Sequence, residues 1–158
     1  MSIDVAHARQ WFESHFGVRA ELTVRAPGRV NIIGEHTDYN HGFVLPMAIE
    51  RETVIVAAGR DDGVLNAYAA NLNRTAHAEL GTWLRNAEES WIDYVVGVAF
   101  ELSKLGNPVT GADLLILGDV PIGSGLSSSA MTISRQRGSA LRPMAKTALM
   151  RILSSSSQ

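Results

Sequence analysis

The chain contains no cysteine, which excludes a disulfide framework and any thiolate zinc site and makes the cytoplasm the expected location. It has no apolar run long enough to cross a bilayer. Its opening residues, Met1-Ser-Ile-Asp-Val-Ala-His-Ala-Arg9, also lack the basic-then-apolar order of a secretory signal, so no membrane partner is expected. Charge of one sign is scarce over long stretches. Residues 1–130 hold 9 Lys and Arg against 16 Asp and Glu, a net of −7, whereas residues 131–158 hold 5 against 0, a net of +5. An acidic body argues against nucleic acid as the main partner, and the basic tail is too short and irregular to reverse that. Aromatic residues are only 6% of the chain, yet hydrophobic residues reach 46% with 19% charged, the balance of a globular domain. At 158 residues, one domain able to bury a core is the default.

Hydrophobic spacing predicts an amphipathic helix over residues 5–16, where Val5, Ala8, Trp11, Phe12, His15 and Phe16 recur at intervals of three and four before Gly17. Residues 21–26 alternate Leu22 and Val24 with polar neighbours and predict a strand that Pro27-Gly28 breaks. An apolar run over 43–49 leads through Arg51-Glu52 into a strand over 53–58. Asp61-Asp62-Gly63 then forces a turn, and 64–69 returns as the expected antiparallel partner. Ser90 is placed as the N-cap of a helix over 91–105, with Trp91, Tyr94, Val95, Val98, Leu102 and Leu105 on one face and Gly106 closing it. A short apolar strand follows at 112–117. Helices mixed with hairpin-like returns predict an α+β domain rather than a doubly wound parallel sheet. After Met131 arginines and Pro143 interrupt any apolar face, so residues 131–158 are expected to form a weakly ordered tail beside a 1–130 domain.

Two segments are too rich in chemistry for folding alone. Between Arg25 and Asn40 the chain gathers Arg29, Glu35, His36 and Asp38 among turn-forming residues. Arg29 is a permanently charged fork suited to negative charge on a transferring group, and the carboxylates and imidazole suit the hydroxyls of a sugar. The plain alternative is a surface ion pair of Arg29 with Glu35 or Asp38, with His36 a satisfied loop histidine. The second segment, Pro121-Ile-Gly-Ser-Gly-Leu-Ser-Ser-Ser-Ala130, follows a strand. Its small residues let several backbone N–H groups turn toward one anion, and its hydroxyls add hard oxygen donors. It is not a Walker loop, since no lysine lies between Lys104 and Lys146, and Ser128 stands where a dinucleotide fingerprint needs glycine. A Gly/Ser linker is the competing reading.

Residues Gly28-Arg-Val-Asn-Ile-Ile-Gly-Glu-His-Thr-Asp-Tyr39 resemble the signature of galactokinases. Residues 121–130 resemble the ATP-binding loop of the wider GHMP-type family that includes homoserine, mevalonate and phosphomevalonate kinases. The similarity covers about residues 9–130. It implies a two-lobed α+β fold, of which this chain holds part of the N-terminal lobe, and transfer of the γ-phosphoryl group of ATP to the anomeric hydroxyl of galactose. The resemblance assigns sugar hydroxyls to Glu35, His36 and Asp38, with Thr37 in the same loop. It assigns transition-state stabilisation to Arg29, the triphosphate to Gly123, Ser124, Gly125, Leu126, Ser127, Ser128 and Ser129, and Mg²⁺ to Ser129.

Nothing after Ala130 matches the family, whose catalytic aspartate, Mg²⁺ carboxylate and further glycine-rich motif find no counterpart. The expectation is a truncated galactokinase without turnover, in which the 91–105 helix or the 112–117 strand lacks its normal cover. An N-acetylgalactosamine kinase, with a similar first motif, and a non-catalytic galactose sensor are the alternatives. In every version the two segments are expected to face a common cleft.

Overall fold

Asp4 starts the first helix. Its carboxylate accepts the backbone N–H groups of Ala6 at 2.9 Å and His7 at 3.3 Å, two donors that a first turn leaves without helical partners. The helix α1 then runs Val5–Phe16, and Gly17 ends it in the left-handed conformation, φ 71°, its N–H donating to the Glu13 carbonyl. The helix predicted over 5–16 is therefore present at both ends. The structure is a computed structural model, and it describes residues 3–33, 43, 45–81, 86, 88–104 and 109–119.

Five strands follow, β1 (Leu22–Ile33), β2 (Leu45–Gly59), β3 (Val64–Ala69), β4 (Arg74–Glu79) and β5 (Ala112–Gly118), with a 3₁₀ turn (Ser90–Ile92) and helix α2 (Asp93–Lys104) between the last two. They form one sheet in the order β1-β2-β5-β3-β4. The chain is thus α+β, as predicted. The neighbour of β2 is not as predicted, because β5 lies between β2 and β3. It pairs antiparallel with β2 from Thr53–Gly118 to Gly59–Ala112, and parallel with β3. The reason is burial on two faces. Leu114 and Leu115 point to opposite sides of the sheet and both are fully buried, so β5 is most stable at the centre, where each face has a cover. The Asp61–Gly63 turn then serves the crossover, and Arg60 donates its N–H to the Gly111 carbonyl at 3.1 Å instead of closing a hairpin.

Side-chain alternation divides the core into two layers. Val54, Val56, Ala58, Tyr68 and Leu115 face α1, where Ala8 and Phe12 close the layer. Ala57, Leu65, Ala67 and Leu114 face α2 and the turn before it, meeting Ile92, Val96, Ala99 and Leu102. Phe12 is completely buried, a contribution of about 1.5–3 kcal/mol from its apolar surface.

The second helix departs from the expected form. Ser90 is not an N-cap but the first residue of a 3₁₀ turn, and α2 begins three residues later at Asp93. The expected face is largely buried, through Trp91, Val98 and Leu102, but it is widened to Ile92, Val96 and Ala99, while Tyr94 is 44% exposed. Leu105 and Gly106 lie outside the described residues, as does the tail predicted over 131–158.

Among the described residues the apolar side chains of α2 and β5 are mostly covered, Tyr94 excepted. The exposed large apolar side chains include Ile32, Ile33, Leu45 and Met47. They lie where β1 and β2 continue as a two-stranded ribbon, since the β2–β5 ladder begins only at Thr53.

Candidate active site

Pro27-Gly28 interrupts the β1–β2 ladder without ending it. Strand β1 passes through both residues, and the register slips between Pro27 and Arg29, as a bulge on an edge strand permits. Gly28 is required here by contact rather than by a turn. A Cβ at this position would stand 2.9 Å from Ile49 Cγ1, closer than real Cβ atoms approach, and 3.1 Å from the Arg51 carbonyl oxygen, tighter than most real contacts. Arg29 follows, half-buried and opposite Ala48 on β2.

Two residues upstream of Pro27, Arg25 forms a fork with Glu52. Its Nε lies 2.8 Å and its terminal nitrogen 2.7 Å from the two carboxylate oxygens. Glu52 Oε1 also accepts the Ile3 N–H at 3.1 Å. The Arg25 hydrogen bonds hold the Glu52 carboxyl below its ordinary range, against the opposite push of burial. The Glu52 backbone in turn joins β5: its N–H donates to Asp119 Oδ1 at 2.6 Å and its carbonyl accepts the Asp119 N–H at 3.1 Å. A carboxylate buried within a long strand is a costly choice unless it is paired. The charged stretch Glu50-Arg51-Glu52 between two apolar runs is the signal from which this network was readable; neither Glu52 nor Asp119 was given a role from sequence.

The same chemistry recurs at the other end of β5. Asp113 Oδ1 accepts from Arg60 at 2.9 Å and from Asn66 at 3.1 Å. Arg60 also pairs with Asp62 and holds that carboxyl at about 2. Asp113, too, escaped the sequence reading.

Of the residues singled out from sequence, Arg29 lies on β1. Glu35, His36, Thr37 and Asp38 lie outside the described residues, as do Gly123, Ser124, Gly125, Leu126, Ser127, Ser128 and Ser129. The strands leading into them are described. Both β1 and β5 run antiparallel to β2, so they run parallel to each other and their C-terminal ends point the same way.

A mixed sheet with a helix on each face has counterparts among solved kinase structures. The Methanococcus jannaschii mevalonate kinase is similar at a TM-score of 0.60 over 85% of this chain and 46% of that one, and at 19% identity the likeness speaks for the fold alone. Sequence narrows the class. A family model described as the galactokinase galactose-binding signature matches residues 10–59. The galactokinase of Roseiflexus sp. is 44% identical over 128 residues, 81% of this chain and 32% of the relative. That of Chloroflexus aggregans is 48% identical over 119 residues, 75% of this chain and 30% of the relative. The crystal structure of Lactococcus lactis galactokinase complexed with galactose matches 93% of this chain and 41% of that one, with 30% identity and a TM-score of 0.70. Together these matches support reading the chain as a partial galactokinase, an N-terminal region of one. It spans about a third of the length of the curated relatives it matches.

Proposed function

We propose that this chain is the sugar-gripping and nucleotide-cradling part of a galactokinase-type phosphotransferase, which moves the γ-phosphoryl group of ATP to the anomeric hydroxyl of galactose and leaves ADP. The galactose-binding signature over residues 10–59 carries this reading. It is supported by the parallel course of β1 and β5, because the sugar segment and the phosphate segment then leave the sheet in the same direction.

In this reading Glu35, His36 and Asp38 hold sugar hydroxyls, with Thr37 beside them. Arg29 offsets the charge that builds as the phosphoryl group moves. Backbone N–H groups from Gly123 to Ser129 hold the triphosphate. Among the described residues no three His, Asp or Glu side chains gather to form a cation site, so the Mg²⁺ assignment rests on the Ser129 hydroxyl, a hard oxygen donor of the type Mg²⁺ prefers. When bound, the cation neutralises phosphate charge. Arg29 does not act as the base, because a guanidinium keeps its proton at ordinary pH. In this reading the 158-residue chain is expected to bind both substrates without turnover. The cytoplasm, where ATP and free sugar meet, belongs to the same reading.

Titration calorimetry with galactose, N-acetylgalactosamine and MgATP, beside an assay for galactose 1-phosphate, tests the proposal. Galactose binding without product is expected. Sustained product formation would overturn the absence of turnover, and failure to bind galactose would overturn the sugar assignment. Preference for the N-acetylated sugar would transfer the site to the related kinase.

A further inference from the structure

Asn71, in the turn between β3 and β4, acts as a strand neighbour to β5. Its Oδ1 accepts the Gly118 N–H at 2.7 Å and its Nδ2 donates to the Gly118 carbonyl at 2.5 Å. The β3–β5 ladder has by then ended at the Ala69–Ile116 pair and the Ala70 N–H to Ile116 carbonyl bond of 2.9 Å. The carboxamide thus extends the support of β5 to one further peptide. The hairpin itself does not need this bond. Its turn closes through the Leu72 N–H to the Ala69 carbonyl at 3.1 Å and the Asn73 N–H to the Ala70 carbonyl at 3.3 Å. Ordering an exposed side chain costs conformational entropy, and here the ordering serves β5.

The opposite side of the strand end is held as well. Asp119 exchanges two hydrogen bonds with the Glu52 backbone, one through its carboxylate and one through its own N–H, while Arg51 reaches its Oδ2 at 3.5 Å. Glu52 cannot drift, since Arg25 and the Ile3 N–H hold its side chain. The backbone is therefore gripped from both sides at Gly118 and Asp119, two residues before Pro121 opens the phosphate segment.

We infer that Asn71 and Asp119 are positioning residues for nucleotide binding: they clamp the end of β5 and fix the direction in which the chain enters residues 121–129. The inference rests on reading that segment as the ATP cradle. Releasing either clamp lets the strand end take several directions, and apparent affinity falls with the fraction of molecules in the productive one. If that fraction drops to about one tenth, the MgATP dissociation constant rises about tenfold.

The test is calorimetry with MgATP and, separately, galactose on the full chain and four variants. Asn71→Ala and Asp119→Ala are expected to weaken MgATP about tenfold and leave galactose affinity unchanged. Asp119→Asn, which keeps the oxygen that accepts the Glu52 N–H, is expected to restore nucleotide affinity. Asn66→Ala, which removes a bond at the far end of β5, is expected to lower stability without changing MgATP affinity. Hydrogen exchange adds a readout independent of ligands: the Gly118 amide should exchange faster in Asn71→Ala. Unchanged MgATP affinity in both alanine variants would overturn the inference, and so would equal losses for the two ligands. A wild-type chain that binds galactose but not MgATP would overturn it together with the nucleotide half of the function, leaving the sugar half standing. A chain that binds neither would overturn both.

Discussion

Strand β5 has a carboxylate near each end, and the two have different duties. At its start, Asp113 is buried and accepts from Arg60 and Asn66, tying together the end of β2, the turn and β3. Just past its other end, Asp119 binds the backbone of Glu52. One cluster closes the sheet, and the other secures the end of β5. Similar residue types are used because a carboxylate offers several acceptor sites to whatever donors surround it. The surroundings decide whether that serves stability or position.

Asp113→Ala would test this division most severely. It leaves the Arg60 guanidinium and the Asn66 amide without their acceptor, and we expect a loss of about 2–4 kcal/mol in urea unfolding, with galactose affinity unchanged in the molecules that remain folded. A parallel fall in galactose affinity would erase the distinction between the two ends. Gly28→Ala should have a smaller effect on stability, about 1–3 kcal/mol, because Ile49 and the Arg51 carbonyl must shift to admit the methyl group. It should reduce galactose binding, since Arg29 is the next residue; wild-type affinity would show that the bulge does not position it. Glu52→Gln weakens the fork to Arg25, which is half exposed, so its loss of unfolding free energy should be less than half that of Asp113→Ala.

The smallest expected effect is a pH dependence that separates the clusters. The Asp62 carboxyl is held at about 2 by Arg60, and Glu52 is lowered by Arg25. A carboxyl with a lowered pKa in the folded state contributes stability that is fully present above its unfolded value, ~3.9 for Asp and ~4.3 for Glu, and is lost as pH falls toward the folded value. The unfolding midpoint should therefore drop between about pH 4 and about pH 2. Asp62→Asn should remove the part of that decline due to the Arg60 pair, and Glu52→Gln the part due to the Arg25 pair. Superimposable curves for both variants would show that neither pair responds to acid.

Local pattern made much of the fold legible. Helix α1 was readable from its spacing and from Gly17, and the strand at 112–117 from its apolar run, because those signals depend on residues close in sequence. Local pattern ends strand β1 at Pro27-Gly28, but a dipeptide that marks a turn in isolation is accepted in an edge strand once a bulge accommodates it. The expected β2–β3 hairpin failed for a longer-range reason. A short turn suggests a hairpin, but placing β5 between the strands buries Leu114 and Leu115 on opposite faces, and no local window contains that gain. The hydrogen bonds of Glu52, Asn71 and Asp119 were not legible, because their partners lie 27 to 67 positions away along the chain.

Residue order by itself determined the amphipathic helix and the inward and outward faces of the strands, all consequences of backbone periodicity acting over a few residues. It also supplied the polar signature that relates this chain to galactokinases. Only the tertiary structure decided which strand occupies the centre and which carboxylates secure the two ends of β5. Those choices compare the burial of whole faces and the pairing of distant charges, energies that exist only once remote segments meet.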